Sequence, residues 1–112
     1  MPLTILLRCS DFDETRQFYE SALGFTVTNS AEGTLTVALN GGKLIFTCSD
    51  YWESPPRLSG TLYFTVENVD AYFVTVKERV SIAWPIQSTL YGSREFGIKD
   101  CNGYLLAFHQ QA

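Results

Sequence analysis

Thr4-Ile-Leu-Leu-Arg-Cys-Ser-Asp11 and Thr61-Leu-Tyr-Phe-Thr-Val-Glu-Asn68 share one pattern, an alternating strand that ends on a helix-capping side chain. Position 4 answers position 61 and position 11 answers position 68, a constant offset of 57, about half of the 112-residue chain. A unit repeated at a fixed period is the signature of a duplicated architecture, with a shared surface between the copies.

Working outward, each copy reads as βαβββ. Residues 3–9 alternate, with Leu3, Ile5 and Leu7 on one face and Thr4, Leu6 and Arg8 on the other. Asp11 is placed to cap a helix, and Glu14 stands three residues on. The helical stripe is Phe12, Thr15, Phe18, Tyr19, Ala22 and Leu23, and Gly24 sits where a left-handed C-terminal residue belongs. Strands follow at Phe25–Asn29, Thr34–Leu39 and Lys43–Cys48, turned by Glu32-Gly33 and Asn40-Gly41-Gly42. Ser54-Pro55-Pro56 marks residues 49–59 as a connector, because proline supplies no ladder donor. The second copy starts at 60. Its helix is capped by Asn68 and striped by Val69, Tyr72, Phe73, Val76 and Val80. A short strand, Ser81–Ile86, is expected to stop around Pro85, with 87–93 as a loop. Arg94–Lys99, a turn at 100–103 and Tyr104–His109 complete it. The expectation is one α+β domain over 1–112: module 1–48, connector 49–59, module 60–112, the sheets curved into a cup with both helices outside.

Strand parity sorts the residues into two faces. Leu35, Val37, Leu44, Phe46, Leu62, Phe64, Phe96, Ile98, Leu106 and Phe108 must pack under the helices. The opposite face collects Thr4, Leu6, Arg8, Thr36, Ala38, Ile45, Thr61, Tyr63, Glu95, Gly97, Leu105, Ala107 and His109. That face is too polar for a dry core and too apolar for a fully solvated one. It suits a small-molecule cleft or a surface covered by a partner subunit, and both can hold at once.

The bulk numbers narrow the classes. A net charge of −4, diffuse and without a basic cluster, argues against nucleic acid or an anionic membrane as partner. Three cysteines, Cys9, Cys48 and Cys101, form no CxxC pair and point to a reducing compartment. No secretory pattern follows Met1, and no apolar run nears the ~20 residues of a membrane helix. A cytoplasmic protein is expected.

Several segments together resemble the vicinal oxygen chelate superfamily of glyoxalases, bleomycin-resistance proteins, fosfomycin-resistance enzymes and extradiol dioxygenases. They are Arg8-Cys-Ser-Asp-Phe12, Phe18-Tyr-Glu-Ser-Ala-Leu-Gly-Phe25, Ile82-Ala-Trp-Pro85, Tyr91-Gly-Ser-Arg-Glu-Phe96 and Asp100-Cys-Asn-Gly-Tyr-Leu-Leu-Ala-Phe108. Cys101 stands where the family's closing turn usually has proline. The resemblance implies paired βαβββ modules forming a cup, in a dimer. It also implies a divalent ion held by His or Glu at four strand positions, which fall here on Thr4, Ile45, Thr61 and Ala107. Isoleucine and alanine have no lone pair to give, and a neutral threonine hydroxyl is a poor ligand without carboxylate or imidazole company. A single histidine rules out a two-histidine site within one subunit. What remains resembles the bleomycin-resistance branch, which binds its ligand without metal or other cofactor.

The leading expectation is therefore a homodimer that sequesters a small planar or amphipathic molecule. Thr4, Arg8, Thr61, Tyr63, Glu95 and His109 supply the polar contacts. Ile45, Trp52, Leu105 and Ala107 supply the apolar wall. The alternative is a metal-free lyase, isomerase or epimerase using Glu95 and His109 for proton transfer. A third is a module whose sheet face docks another protein. Each candidate has a plainer role. His109 is near the chain end and suits an exposed strand terminus. Glu95 suits an ion pair, with Lys99 beside it on the same face, or an exposed strand charge. Arg8 suits a structural role at a dimer or helix edge. Tyr51 and Trp52, in the connector, suit the cleft or a dimer interface, and Tyr91 is a further loop aromatic. Trp84 suits the core. Cys9 reads as a small buried filler, and Cys101 as an exposed, oxidisable turn residue.

Overall fold

The computed structural model describes residues 4–31 and 33–111. Leu3 and Glu32, used above for the first strand and the first turn, lie outside them. The element order is β1 (Leu6–Arg8), α1 (Phe12–Gln17), β2 (Thr26–Asn29), β3 (Thr34–Leu39), β4 (Gly42–Thr47), β5 (Thr61–Thr65), α2 (Val69–Val76), β6 (Ser81–Ser88), β7 (Ser93–Lys99) and β8 (Leu105–Gln111). Two four-stranded mixed sheets result, ordered β1-β4-β3-β2 and β5-β8-β7-β6. In each, the first strand runs parallel to the last and the other pairs are antiparallel. The repeat in sequence is thus a repeat in topology.

The local signals explain the boundaries. The Asp11 side chain accepts from the Glu14 amide at 3.0 Å, and the Asn68 side chain from the Ala71 amide at 3.0 Å. α1 widens into one π-helical turn over Phe18–Ala22, with Leu23 N–H reaching the Phe18 carbonyl. Gly24 at φ 77° then lets the Phe25 amide bond back to the Tyr19 carbonyl at 2.8 Å. β1 is shorter than its alternation suggests, although bonds from Ile45 N to Ile5 O and from Cys9 N to Thr47 O extend the pairing at both ends. β6 corrects the sequence reading. It runs through Pro85 to Ser88, because it is the edge strand of its sheet and its register shifts on both sides of Trp84. An edge with bulges needs no donor from proline.

Parity holds. Leu7, Leu35, Val37, Leu44, Phe46, Phe64, Phe96, Ile98, Leu106 and Phe108 are buried in one cluster with Tyr19, Val69 and Val76 of the helical segments. Phe25 carries that cluster across the halves, its ring 5.1 Å from Phe64 and 6.2 Å from Phe108. Each such buried ring contributes roughly 1.5–3 kcal/mol of hydrophobic stabilisation.

Polar bonds also cross between the halves, in reciprocal pairs. The β3–β4 hairpin tip reaches the end of β5, with Asn40 Nδ2 donating to the Thr65 carbonyl at 3.2 Å. The β7–β8 turn reaches the end of β1. There Tyr104 Oη donates to the Arg8 carbonyl at 2.5 Å, and Asn102 Oδ1 accepts from Ser10 N–H at 3.1 Å. Buried Tyr19 Oη donates to Asp100 Oδ2 at 2.5 Å. Among the described residues no helix is long and apolar enough to cross a membrane.

Candidate functional site

The face of the second sheet opposite the core gathers six of the sequence-predicted site residues. Register pairs Thr61 with Leu105, Tyr63 with Ala107, and His109 with both Thr65 and Glu95. Glu95 is the centre of this face and is only 3% exposed. Four neutral donors converge on its carboxylate. Tyr91 Oη (3.1 Å) and Ser93 Oγ (3.4 Å) donate to Oε1, and Trp84 Nε1 (3.1 Å) and Tyr63 Oη (3.3 Å) to Oε2. Partial desolvation against the sheet, with the Tyr91 hydroxyl and the Glu95 charge beside it, pushes the Tyr63 phenol up to about 12. Glu95 makes neither the ion pair with Lys99 nor the exposed strand charge of its plainer reading. The register shifts in β6 explain a second correction, since they place Trp84 opposite Gly97 on this face rather than in the core. A β-carbon on Gly97 would stand 2.4–2.5 Å from the indole, so glycine is what lets the ring lie flat on β7. His109 Nε2 is 3.0 Å from Thr65 Oγ1, and its ring meets Tyr63 edge-on. No hydrogen bond joins it to Glu95 among the described residues.

The first half contributes a separate cluster. Arg8 and Trp52 line a hollow of about 460 Å³ between β1 and the connector, walled by Ile5, Leu6, Leu7, Pro55, Leu58 and Tyr104, with Arg57 and Ser54 at its rim. Arg8 Nη1 donates to the Ser54 carbonyl and lies 3.7 Å from Asp50 Oδ2, which ties the connector to β1. Arg8 Nε is buried without a hydrogen-bond partner among the described residues. Ile45 is half-buried opposite Leu6, and Thr4 is exposed ahead of β1. No side-chain hydrogen bond joins this cluster to the one around Glu95, again among the described residues. A larger groove, about 840 Å³, runs along α1 and contains none of the candidates.

The thiols also have definite places. Cys9 is buried, with its Sγ 3.4 Å from Sγ of exposed Cys48, and burial pushes it up to about 12. Cys101 is half-buried rather than exposed, because α1 covers it: its Sγ stands 4.0 Å from Thr15 Oγ1. Burial and the Asp100 charge push it up to about 11.

The model of the glyoxalase/bleomycin resistance protein/dioxygenase superfamily matches residues 3–108. The chain belongs to that superfamily. Solved structures agree on the superfamily fold. A glyoxalase/bleomycin resistance protein/dioxygenase from Alicyclobacillus acidocaldarius aligns with a TM-score of 0.77 at 19% identity, covering 99% of this chain and 91% of that one. A protein of unknown function from Agrobacterium tumefaciens gives 0.81 at 19%, covering 100% and 95%. TioX from Micromonospora sp. ML1 gives 0.79 at 17%, covering 100% and 97%. No curated protein matches. The metal that the superfamily implies does not fit this donor set. Ile45 and Ala107 offer no lone pair, and Ala107 is fully buried between Tyr63 and Gly97. Among the described residues no three His, Cys, Asp or Glu side chains are grouped to hold an ion.

Sequence reasoning missed three participants. Trp84 was hidden by the bulges, and Ser93 by its assignment to a loop. Arg57 was hidden because only the folded connector brings it to β1. Tyr91 carried one usable signal, an aromatic in a Gly-containing loop four residues from a face-directed carboxylate.

Proposed function

We propose that the protein binds a small apolar or planar molecule in the hollow between β1 and the connector, as a metal-free, bleomycin-resistance-like member of its superfamily working as a homodimer. The observation that carries this reading is the hollow itself. Its 460 Å³ fall within the range of small-ligand sites, and its walls are mainly apolar with few polar groups. Trp52, 47% exposed, offers a ring for stacking. Affinity would come from apolar burial, and the outcome would be sequestration. Half-exposed Tyr63, on the sheet face opposite the core, is surface that a second copy would cover.

The alternative, a small lyase, isomerase or epimerase, draws support from the register pairing of Glu95 with His109. Against it stands the saturation of both carboxylate oxygens by four donors, which leaves no free lone pair directed at a substrate proton. Titrating tryptophan fluorescence with a panel of planar aromatic compounds tests the binding reading. Saturable quenching that disappears in Trp52→Phe is expected. No response across the panel would refute it.

A further inference from the structure

The hollow is charged in one sense only. Arg8 and Arg57 both line it, and no carboxylate does. In a chain of net charge −4, two guanidinium groups around one concavity run against the overall balance. Asp50 offsets Arg8 from one side, at 3.7 Å, but touches only its Nη1 end. Arg57 is exposed and makes no hydrogen bond or ion pair among the described residues. Apart from Ser54 and Tyr104, the rest of the wall is apolar, with Leu6, Trp52, Pro55 and Leu58.

We infer that the ligand of this hollow is an organic anion: a planar apolar body carrying a carboxylate or sulfonate, the body against Trp52 and Leu58 and the anion drawn to the guanidinium groups of Arg57 and Arg8. The inference rests on the binding reading above and adds the ligand's charge. A guanidinium fork matches such anions in geometry, and Arg57 offers one with no partner of its own among the described residues. A cationic ligand would face two like charges with no carboxylate in the hollow to offset them.

The test uses two dyes with the same aromatic framework. 8-Anilino-1-naphthalenesulfonate carries the anion, and N-phenyl-1-naphthylamine lacks it. Each is titrated against the full chain, its Trp52→Ala variant and its Arg57→Gln variant. The wild type is expected to hold the sulfonate about tenfold more tightly than the neutral dye, the lower range of what a charge-assisted hydrogen bond contributes. That ratio should fall towards one in Arg57→Gln and with rising salt, because the partner charge is exposed. Trp52→Ala should weaken both dyes. Equal wild-type affinities would overturn the anion assignment and leave the hollow as a neutral site. Failure of both dyes to bind would overturn the binding reading with it. Tight sulfonate binding indifferent to both substitutions would place the dye elsewhere and overturn the inference as well.

Discussion

Asp100 is a buried carboxylate that joins a turn of the second half to a helical tyrosine of the first. It is 5% exposed, at the turn between β7 and β8. Its Oδ1 accepts from the amides of Tyr104 at 2.8 Å and Asn102 at 2.9 Å, and its Oδ2 accepts from Tyr19 Oη at 2.5 Å. Asp100→Ala strands the hydroxyl of Tyr19, which is fully buried, and a buried donor left unpaired costs about 1–3 kcal/mol. The two lost turn bonds add to this, and release of a desolvated carboxylate subtracts from it. The net expectation is a loss of about 3 kcal/mol, roughly 13 °C in Tm for a domain of this size. Asp100→Asn keeps an acceptor for both amides, and Tyr19 can turn its hydroxyl to accept from the new Nδ2, so that loss should stay near 1 kcal/mol. The pH dependence separates the two effects. Burial raises the Asp100 carboxyl above its ordinary value, against the opposing pull of the Tyr19 and amide bonds. A group with a raised folded pKa contributes its full stability below its unfolded pKa and loses it as pH rises through the folded one. Wild type should therefore lose stability relative to Asp100→Asn as pH climbs through that window. Urea unfolding of the three proteins across acid to neutral pH measures both quantities. Asp100→Ala within 0.5 kcal/mol of wild type, or a wild-type advantage over Asp100→Asn that grows with pH, would refute the reasoning.

The other expectations are briefer. Gly97→Ala should lift Trp84 off β7, costing about 1–3 kcal/mol as overpacking does and changing the tryptophan emission; an unchanged spectrum and stability would show that the indole does not lie there. Cys48, exposed, should react with a thiol reagent in the folded protein. Cys9, 1% exposed with its thiol pushed up to about 12, should react only on unfolding, and equal rates would contradict the packing. Glu95→Gln should leave ligand binding intact and disturb mainly Tyr91 and Ser93, since an amide keeps one acceptor for the Trp84 N–H. Turnover of any substrate that this substitution abolishes would revive the enzyme reading.

Much of the fold was legible because strand parity and helix caps are local. Leu7, Leu35, Phe64 and Phe108 declare their face by alternation alone, and Asp11, Gly24 and Asn68 sit where their side chains or backbone freedom are needed. Trp84 was misread because bulges carry no compositional mark: the shift before it turns Trp84 to the opposite face, and the shift after it restores the alternation that puts Ile82 and Ile86 against the core. Glu95 was only half legible. Its face follows from parity, but its four donors come from positions 63, 84, 91 and 93, and only the closed sheet brings Tyr63 to them. The hollow depends on how the connector folds back, which Ser54-Pro55-Pro56 permits but does not direct.

The reciprocal bonds between hairpin tips and strand ends have a consequence for the chain as a whole. Asn40 closes the far half while Asn102 and Tyr104 close the near one, so each half completes its own first strand with atoms borrowed from the other. A protease nick in the connector would cut the tether without cutting those loans. The two fragments should stay married after the cut, and neither should survive the divorce.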